Sequence, residues 1–429
     1  MSYLNETKKV MGWVYKYRVM GKKIFLDLRA MDKDFVGGIL QVVATKGEIS
    51  DEDFKKLKKI TQESFVELEG ELLEDPRAPG GKELHVTKLL NISLAEQPYP
   101  LAKKEHSVDF LLDMRHLTIR SPRYTKIWII REKVIDALRE WYKKNGWYEV
   151  SPPILQFTAC EGGATLFPVK YFDQTAYLSQ SAQLYLEVMI FSLGKVFSLT
   201  PSFRAEKSRT RRHLTEYWHF EAEAANYGFE DIMKAEEEPI SYTIQKLLED
   251  EKITQWLKEF RGTTEDLEEI KTPFQKITYD EAIEILQGKG FNVKWGDDLG
   301  ADEEKALSSE FETPFFVTLY PTEIKAFYVK RVENTPEKCY SADLMAPNYG
   351  EITTGGVRED NINSLIERIK KEGFNPEDYY WYLDLRRYGS VPHSGFGLGI
   401  ERFLHWLLRV DHIREVIPFP RLARRKSLV

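Results

Sequence analysis

Two arginine-containing segments carry the residue types needed to bind a phosphorylated, planar ligand. The first, PSFRAEKSRTRRHLTEYWHFEAE at 201–223, indicates a β-hairpin with charged and aromatic residues on both arms of a basic loop. Arg204 could bind a phosphate through two parallel hydrogen bonds, because a guanidinium offers planar, bidentate donors. Tyr217 could stack on a flat base. Arg204 by itself is equally compatible with an exposed hairpin held by ion pairs.

The second segment, YGSVPHSGFGLGIERFLHWLL at 388–408, joins a glycine-rich strand to a helix. The glycines at 395, 397 and 399 leave a groove where a ligand could approach the backbone closely. Arg402 falls on the first turn of the helix and would face that groove. Glycine runs are often plain turns, but the arginine that follows at once favours a binding groove.

The N-terminal part of the chain indicates a small β-barrel. Residues 7–95 contain five runs rich in β-branched and aromatic residues, separated by turns, with a helical stretch at 51–62 before the fourth run. This order predicts a barrel of the OB type over residues 1–95. A polar, proline-containing linker follows at 96–120.

The remainder, 121–429, is predicted to be an α+β domain with a mainly antiparallel sheet flanked by helices. Apolar spacing indicates a long helix from Tyr124 to Lys144 and a late helix over 397–410. Strand-like runs lie at 175–179, 195–205, 213–226, 325–330 and 349–358. The acidic stretch 230–315 is expected to be a mostly helical insertion that carries no chemistry.

Composition narrows the classes of protein. The hydrophobic fraction of 42% and the charged fraction of 30% predict packed cores with a solvated surface. No signal peptide and no apolar run of about 18 residues is visible, so a cytoplasmic location without a membrane span is expected. Two cysteines, Cys160 and Cys339, allow one disulfide at most. The net charge of −7 leaves RNA binding to local basic runs such as 207–212 and 421–429.

Three segments, in order, resemble the signature motifs of class II aminoacyl-tRNA synthetases. NGWYEVSPPIL with Pro153 is similar to motif 1, FRAE…RHLTEYW to motif 2, and GFGLGIER to motif 3. The resemblance covers nearly the whole chain and is greatest to the aspartate, asparagine and lysine subgroup, which carries an OB-type anticodon-binding domain. It implies a homodimeric ligase that uses ATP and Mg²⁺ to activate an amino acid and esterify it to tRNA.

The segment 161–187 resembles the amino-acid pocket shared by the aspartyl and asparaginyl enzymes. Aspartyl members have a lysine at the position of Leu186 and an aspartate at the position of Glu221. Leucine cannot neutralise a carboxylate, whereas Glu221 could accept a hydrogen bond from an amide and repel an acid. Asparagine and tRNA(Asn) are therefore the expected substrates, although Leu186 as an ordinary core residue stays open.

The resemblance implies further roles in the amino-acid site. Arg387 is the candidate for the amide oxygen, with Arg386 as the alternative. Gln183 would bind the substrate ammonium. Glu161 would belong, with residues 164–165, to a loop that closes over the substrate.

The resemblance also implies a nucleotide site and a metal. Arg204 would contact the α-phosphate, Arg402 the γ-phosphate, and Tyr217 would stack on adenine. Asp343 and Glu351 would hold Mg²⁺, a hard cation that prefers oxygen ligands, and Arg358 would assist the terminal phosphates. The other implied ATP contacts are Glu206, Arg212, His213, Leu214, Glu351 and Gly399.

In the barrel, the resemblance implies contacts to the anticodon. Phe25 would stack on a base and Gln41 would hydrogen-bond it, with Arg18 nearby, as expected for readers of single-stranded RNA. Phe25 as an ordinary barrel-core residue is the alternative. The turn at 29–40 is longer than in the usual family pattern.

Three other functions compete with asparagine ligation to tRNA. Leu186 and Glu221 argue against a non-discriminating aspartyl enzyme. An adenylate-forming asparagine synthetase-like paralogue would lack the barrel predicted for 7–95. A non-catalytic RNA-binding paralogue would have lost the motif arginines or the carboxylates, whereas Arg204, Arg402 and Asp343 are all present.

Overall fold

The computed structural model describes residues 6–101, 104–160, 166–207, 210–423 and 425–426. The chain divides into two compact units between Ile129 and Ile130. Among the described residues, no helix is both long and apolar enough to span a membrane.

The first unit is built on a closed five-stranded barrel in the order β1-β2-β3-β5-β4. Its strands are β1 Glu6–Met20, β2 Lys23–Ala30, β3 Leu40–Thr45, β4 Phe65–Glu74 and β5 Lys82–Ser93. Alternation fills the interior with aliphatic side chains, as on β2, where Ile24, Leu26 and Leu28 are fully buried. Gly70 allows close strand pairing, since a Cβ there would collide with the His85 carbonyl oxygen. The predicted barrel is confirmed.

Short helices accompany the barrel strands in this unit. They are α1 Asp51–Leu57, α2 Val108–Asp113 and α3 Arg115–Thr118. Ser50 begins α1 because its side chain accepts a hydrogen bond from the Asp53 N–H. The helix ends at Leu57, five residues before the predicted end. The long helix α4, Pro122–Lys144, matches its prediction closely.

The second unit contains an eight-stranded sheet in the order β12-β13-β16-β17-β18-β11-β10-β6. The six central strands are antiparallel, as predicted, whereas the outer strands β6 and β12 pair in parallel. The bounds are β6 Tyr148–Glu149, β10 Lys195–Phe203, β11 Glu216–Ala225, β12 Gln275–Thr278, β13 Phe315–Thr318, β16 Ser341–Ala346, β17 Gly350–Val357 and β18 His393–Gly399.

Smaller strands lie outside this sheet. They are β7 Leu155–Gln156, β8 Pro168–Tyr171, β9 Gln174–Leu178, β14 Arg331–Val332 and β15 Thr335–Cys339. The strand predicted at 325–330 is wrong, because a 3₁₀ turn at Thr322–Ile324 precedes an irregular stretch and β14 begins only at Arg331.

Helices cover the sheet. They are α5 Gln183–Leu193, α6 Phe229–Leu248, α7 Glu251–Arg261, α8 Glu265–Glu268, α9 Tyr279–Gly288, α10 Ala301–Ser308, α11 Ile362–Lys371, α12 Tyr380–Arg387 and α13 Ile400–Leu408. The late helix is shorter than predicted because 393–399 forms β18. Residues 230–315 are mostly helical, as predicted, but β12 extends the main sheet and is not part of a separate insertion.

The glycines of β18 open one face of the sheet. A Cβ at Gly395 would collide with the Glu223 carboxyl group, and one at Gly397 would collide with the His219 ring. Side chains of β11 therefore lie flat across β18. The space that the sequence predicted for a ligand is occupied at Gly395 and Gly397 by side chains of the protein.

Candidate active site

A cleft of about 510 Å³ lies over this open face. Its walls come from the β10–β11 hairpin, β17, β18 and the start of α13. Of the residues assigned from sequence, those lining the cleft are Gln183, Arg204, Glu206, Arg212, His213, Leu214, Tyr217, Glu221, Glu351, Arg358, Gly399 and Arg402. The hairpin and the glycine-rich strand thus meet in one site.

One end of the cleft carries the two motif arginines. The Arg204 guanidinium lies 5.8 Å from the Tyr217 ring centroid, so cation and aromatic ring form one surface. Arg402 donates to Glu351 at 2.7 Å, with both side chains about a quarter exposed. Burial alone would lower the pKa of Arg402, but the charges of Glu351 and Glu304 raise it above its ordinary value. Two guanidinium groups therefore lie at this end of the cleft, and that of Arg402 is paired with a carboxylate.

Arg212 forms an ion pair with a residue of 230–315, the stretch that was expected to carry no chemistry. Its guanidinium lies 2.6 Å from Glu304 on α10 and 5.2 Å from the Tyr349 ring centroid. Glu304 also accepts the Glu351 backbone N–H at 3.1 Å. Burial and the Glu351 charge raise the pKa of Glu304. The stretch 230–315 therefore supplies the carboxylate that pairs with Arg212 of the cleft.

The two predicted metal carboxylates are each paired with a cation. Lys325 donates to both oxygens of Asp343, at 2.9 and 2.7 Å, and Asp343 does not line the cleft. Glu351 is paired with Arg402, and although burial acts against ionisation, the Arg402 and Lys325 charges lower the pKa of Glu351. Within the described residues, no group of three or more His, Cys, Asp or Glu side chains could hold a metal ion.

The basic loop contributes smaller contacts. His213 Nε2 lies 4.0 Å from Glu206. Burial and the charge of Arg402 lower the pKa of His213, which favours a neutral ring. Leu214 is buried against the cleft, and Gly399 precedes α13 at the entry to its first turn.

The other end of the cleft is enclosed and anionic. Glu221 accepts hydrogen bonds from the Ser181 hydroxyl and, at 2.9 Å, from the Ala182 N–H. His219 Nδ1 lies 3.4 Å from the same carboxylate. Gln183 donates its amide to Glu187 at 3.0 Å.

Arg358, which the sequence assigned to the terminal phosphates, lies beside Glu223 at this enclosed end. It is 3% exposed and donates through Nε to Glu223 at 3.1 Å. Glu223 lies two residues beyond Glu221 on β11, so both face the same side. Burial opposes the charge on Arg358, but Glu223 raises its pKa above its ordinary value.

Two of the amino-acid-site assignments within the described residues are not brought into the cleft. Leu186 is fully buried among Ala182, Ile190 and Val196, so the core reading fits its position. Arg387 is exposed and paired with Asp384 at 2.9 Å. Its alternative, Arg386, is buried but is held by Glu187 at 2.9 Å. Glu161 and the loop residues 164–165 lie outside the described residues.

Sequence reasoning missed Glu187, Glu223, Glu304 and Lys325. Spacing could have indicated two of them, since Glu187 stands four residues after Gln183 on a helix and Glu223 two residues after Glu221 on a strand. Nothing local marks Glu304 on α10 or Lys325 in the irregular stretch before β14, because only long-range packing brings them to Arg212 and Asp343.

The predicted anticodon residues share the outer face of the barrel. Arg18 pairs with Phe25 across β1 and β2, and its guanidinium lies 5.6 Å from the ring centroid. Phe25 is half-buried and points away from the core. Gln41, on β3, hydrogen-bonds Glu83 of β5.

Comparison with known proteins finds a matching family for each of the two units. Residues 107–423 match the family of tRNA synthetases class II (D, K and N), and residues 8–92 match an OB-fold nucleic acid binding domain. The asparagine–tRNA ligase of Pyrococcus abyssi is 55% identical, over 97% of this chain and 95% of its own length.

Solved structures agree. Asparaginyl-tRNA synthetase from Pyrococcus horikoshii, complexed with asparaginyl-adenylate, superposes with a TM-score of 0.93 at 54% identity, covering 99% of this chain and 97% of that one. The Entamoeba histolytica asparaginyl-tRNA synthetase gives 0.88 at 33% identity, covering 99% and 98%.

The chain belongs to the class II tRNA synthetases of the D, K and N family. Within that family it groups with the asparagine–tRNA ligases. The predicted family, fold class and enzyme class are confirmed, and the class uses ATP.

Proposed function

We propose that this protein activates asparagine with ATP and transfers it to the 3′ end of tRNA(Asn). The observation that carries the proposal is the pairing, in one cleft, of the motif arginines Arg204 and Arg402 with the enclosed acceptor Glu221. Phosphates fit the first end and a neutral carboxamide fits the second. An aspartate side chain would bring a second anion beside Glu221.

In the first step, an α-carboxylate oxygen of asparagine attacks the α-phosphorus of ATP, and the bond to the β-phosphate oxygen breaks to release pyrophosphate. Negative charge on the α-phosphate faces Arg204, and the leaving pyrophosphate faces Arg402. Tyr217, already covered by the Arg204 guanidinium, stacks on adenine. Catalysis consists of positioning and preorganised charge, with no nucleophilic side chain.

The amide side chain is selected at the enclosed end. Glu221 accepts a hydrogen bond from the amide NH₂, while its own position is fixed by Ser181 and Ala182. Arg358 is a buried cation that directly follows β17, which lies two strands from β11 in the sheet. It takes the place of Arg387 as the donor to the amide oxygen. Gln183 binds the α-ammonium group.

Mg²⁺ fits this site as an ion shared between the protein and the phosphates of the substrate. Mg²⁺ is commonly held by one or two carboxylates together with substrate phosphates and water, and Glu351 lines the cleft beside Arg402. Glu351 would hold the ion, with Asp343, which is paired with Lys325 behind the cleft lining, as the second carboxylate of the proposed pair. The ion would neutralise charge on the phosphates. Arg402 and Lys325 hold these carboxylates in place.

In the second step, a ribose hydroxyl at the 3′ end of tRNA attacks the adenylate carbonyl, and AMP leaves. The barrel face of Arg18, Phe25 and Gln41 reads the anticodon by stacking and base-edge contacts. Such charging takes place in the cytoplasm.

A homodimer is part of the proposal. Strand β6 is the edge of the main sheet, and large apolar side chains are exposed on it and after it, namely Tyr148, Ile154, Leu155 and Phe157. Exposed apolar groups beside an open strand edge are typical of a contact surface. Sedimentation of the purified protein should give twice the chain mass, and Phe157→Glu should shift it towards the monomer.

The function is tested by pyrophosphate exchange into ATP with each of the twenty amino acids. Asparagine should support exchange, and aspartate should be at least tenfold less efficient. Comparable exchange with aspartate would overturn the choice of substrate. Charging of tRNA(Asn) transcripts tests the second step.

A further inference from the structure

A buried carboxylate behind the enclosed end has no part in the function proposed above. Glu187 is completely buried on α5. Four side chains contact it, namely Gln183, Tyr382, Arg386 and His393. Burial acts to raise the pKa of Glu187, but the Arg386 charge and the His393 hydrogen bond lower it. The carboxylate is therefore an anion held by four side chains.

Its two oxygens have different partners. Oε1 accepts the Gln183 amide at 3.0 Å. Oε2 accepts Arg386 at 2.9 Å and lies 2.8 Å from His393 Nε2. The Tyr382 hydroxyl contacts both oxygens. The cation is therefore on one oxygen and the cleft residue is on the other.

This division fixes which end of the Gln183 amide faces a ligand. A carboxamide has one donor end and one acceptor end, and an ionised carboxylate can only accept. The NH₂ of Gln183 must therefore face Glu187, which leaves the carbonyl oxygen for the cleft. The α-ammonium group of an amino acid has donors only, and so needs that oxygen.

We propose that Glu187 is a positioning residue that orients the Gln183 carboxamide towards the α-ammonium group of the amino acid. The proposal rests on the ammonium role given to Gln183 under the proposed function. It explains why an anion is buried beside a neutral residue that binds a cation. The carboxylate acts through the direction of one amide.

Glu187→Gln is the decisive variant because it keeps the size of the side chain. Arg386 still requires an acceptor at the Oε2 position, so the new NH₂ group falls at the Oε1 position, opposite Gln183. Gln183 must then rotate and present its own NH₂ to the ammonium group. Donor would face donor, and asparagine binding should weaken about tenfold.

The readout compares asparagine with succinamate, the analogue that lacks the α-amino group. In pyrophosphate exchange, the KM for asparagine should rise about tenfold in Glu187→Gln. The inhibition constant of succinamate and the KM for ATP should stay within about twofold of wild type, because neither ligand uses that oxygen. A purely structural role would shift all three together and would overturn the proposal.

Two further variants separate the possible failures. The preference for asparagine is the ratio of the succinamate inhibition constant to the asparagine KM. Gln183→Met should remove this preference, as Glu187→Gln should reduce it. If it does not, the ammonium role of Gln183 fails. If it does while folded Glu187→Gln keeps the wild-type preference, the positioning role of Glu187 fails alone. Glu236→Gln is the matched control, since Glu236 is a fully buried carboxylate that bonds Thr353 and does not line the cleft.

Folding of the variant is checked by thermal unfolding. Should Glu187→Gln not fold, the pair Glu187→Gln with Arg386→Met removes the buried cation together with the anion. Both amide orientations then become accessible, and the preference should fall about twofold. A wild-type preference in that pair would equally overturn the proposal.

Discussion

The two ends of the cleft hold their charges in opposite ways. At the nucleotide end, Arg402 and Glu351 are paired but remain about a quarter exposed. At the amino-acid end, the side chains of Arg386 and Glu187 are completely buried, and those of Arg358 and Glu223 nearly so. A phosphate can replace an exposed partner at little cost, whereas a buried ion pair resists rearrangement.

This difference matches what each end has to recognise. Triphosphate binding depends on charge, which acts over distance and tolerates small shifts. Distinguishing an amide from a carboxylate depends on which atom donates and which accepts, and that requires fixed side chains. We therefore expect the buried network to serve selectivity and the exposed pairs to serve the reaction.

The largest effect expected from this comparison concerns stability. Arg386→Ala leaves the Glu187 carboxylate buried without its cation, so the free energy of unfolding should fall by about 3–5 kcal/mol. Urea unfolding measures it. Arg139→Ala, which breaks the surface pair with Glu149, is the control and should cost below about 1 kcal/mol. Equal losses would break the contrast between buried and exposed pairs.

At the nucleotide end the loss should be in rate. Arg402→Ala removes a cation from the phosphate site, so asparagine-dependent exchange should fall about 100-fold or more, while the free energy of unfolding changes by less than about 1 kcal/mol. Arg409→Ala, just after the same helix and paired with Asp266, should retain activity. Exchange within tenfold of wild type would remove Arg402 from the phosphate site.

Selectivity tests the amino-acid end with a smaller effect. Glu221→Gln removes the anion that opposes an aspartate side chain, so the ratio of aspartate to asparagine efficiency should rise about tenfold. Leu186→Met is the matched control because it keeps the apolar packing around Ala182 and Ile190. An unchanged ratio in Glu221→Gln would place discrimination elsewhere in the cleft.

The smallest effect is expected at Arg387. Its exposed pair with Asp384 should contribute no more than about 0.5 kcal/mol, so Arg387→Ala should leave stability and exchange nearly unchanged. A large rise in the KM for asparagine would instead restore the role assigned to Arg387 from sequence.

The sequence by itself determined the family, the fold class and the two segments from which the nucleotide end is predicted. Those inferences depend on local patterns, namely the motif segments around Arg204 and Arg402 and the alternating strands of the barrel. Residues close together in sequence, such as Arg204 and Tyr217 on one hairpin, keep their relation in the fold because strand pairing fixes it.

Only the tertiary structure decided how the three candidate arginines differ in burial and pairing. Arg358, Arg386 and Arg387 look alike in sequence, and their burial differs because α12 turns Arg386 towards Glu187 and Arg387 towards solvent. The same holds for Leu186, whose apolar surroundings come from several elements. Long-range packing brought Glu304 to Arg212 and Lys325 to Asp343, and no local pattern encodes contacts between elements that are distant in sequence.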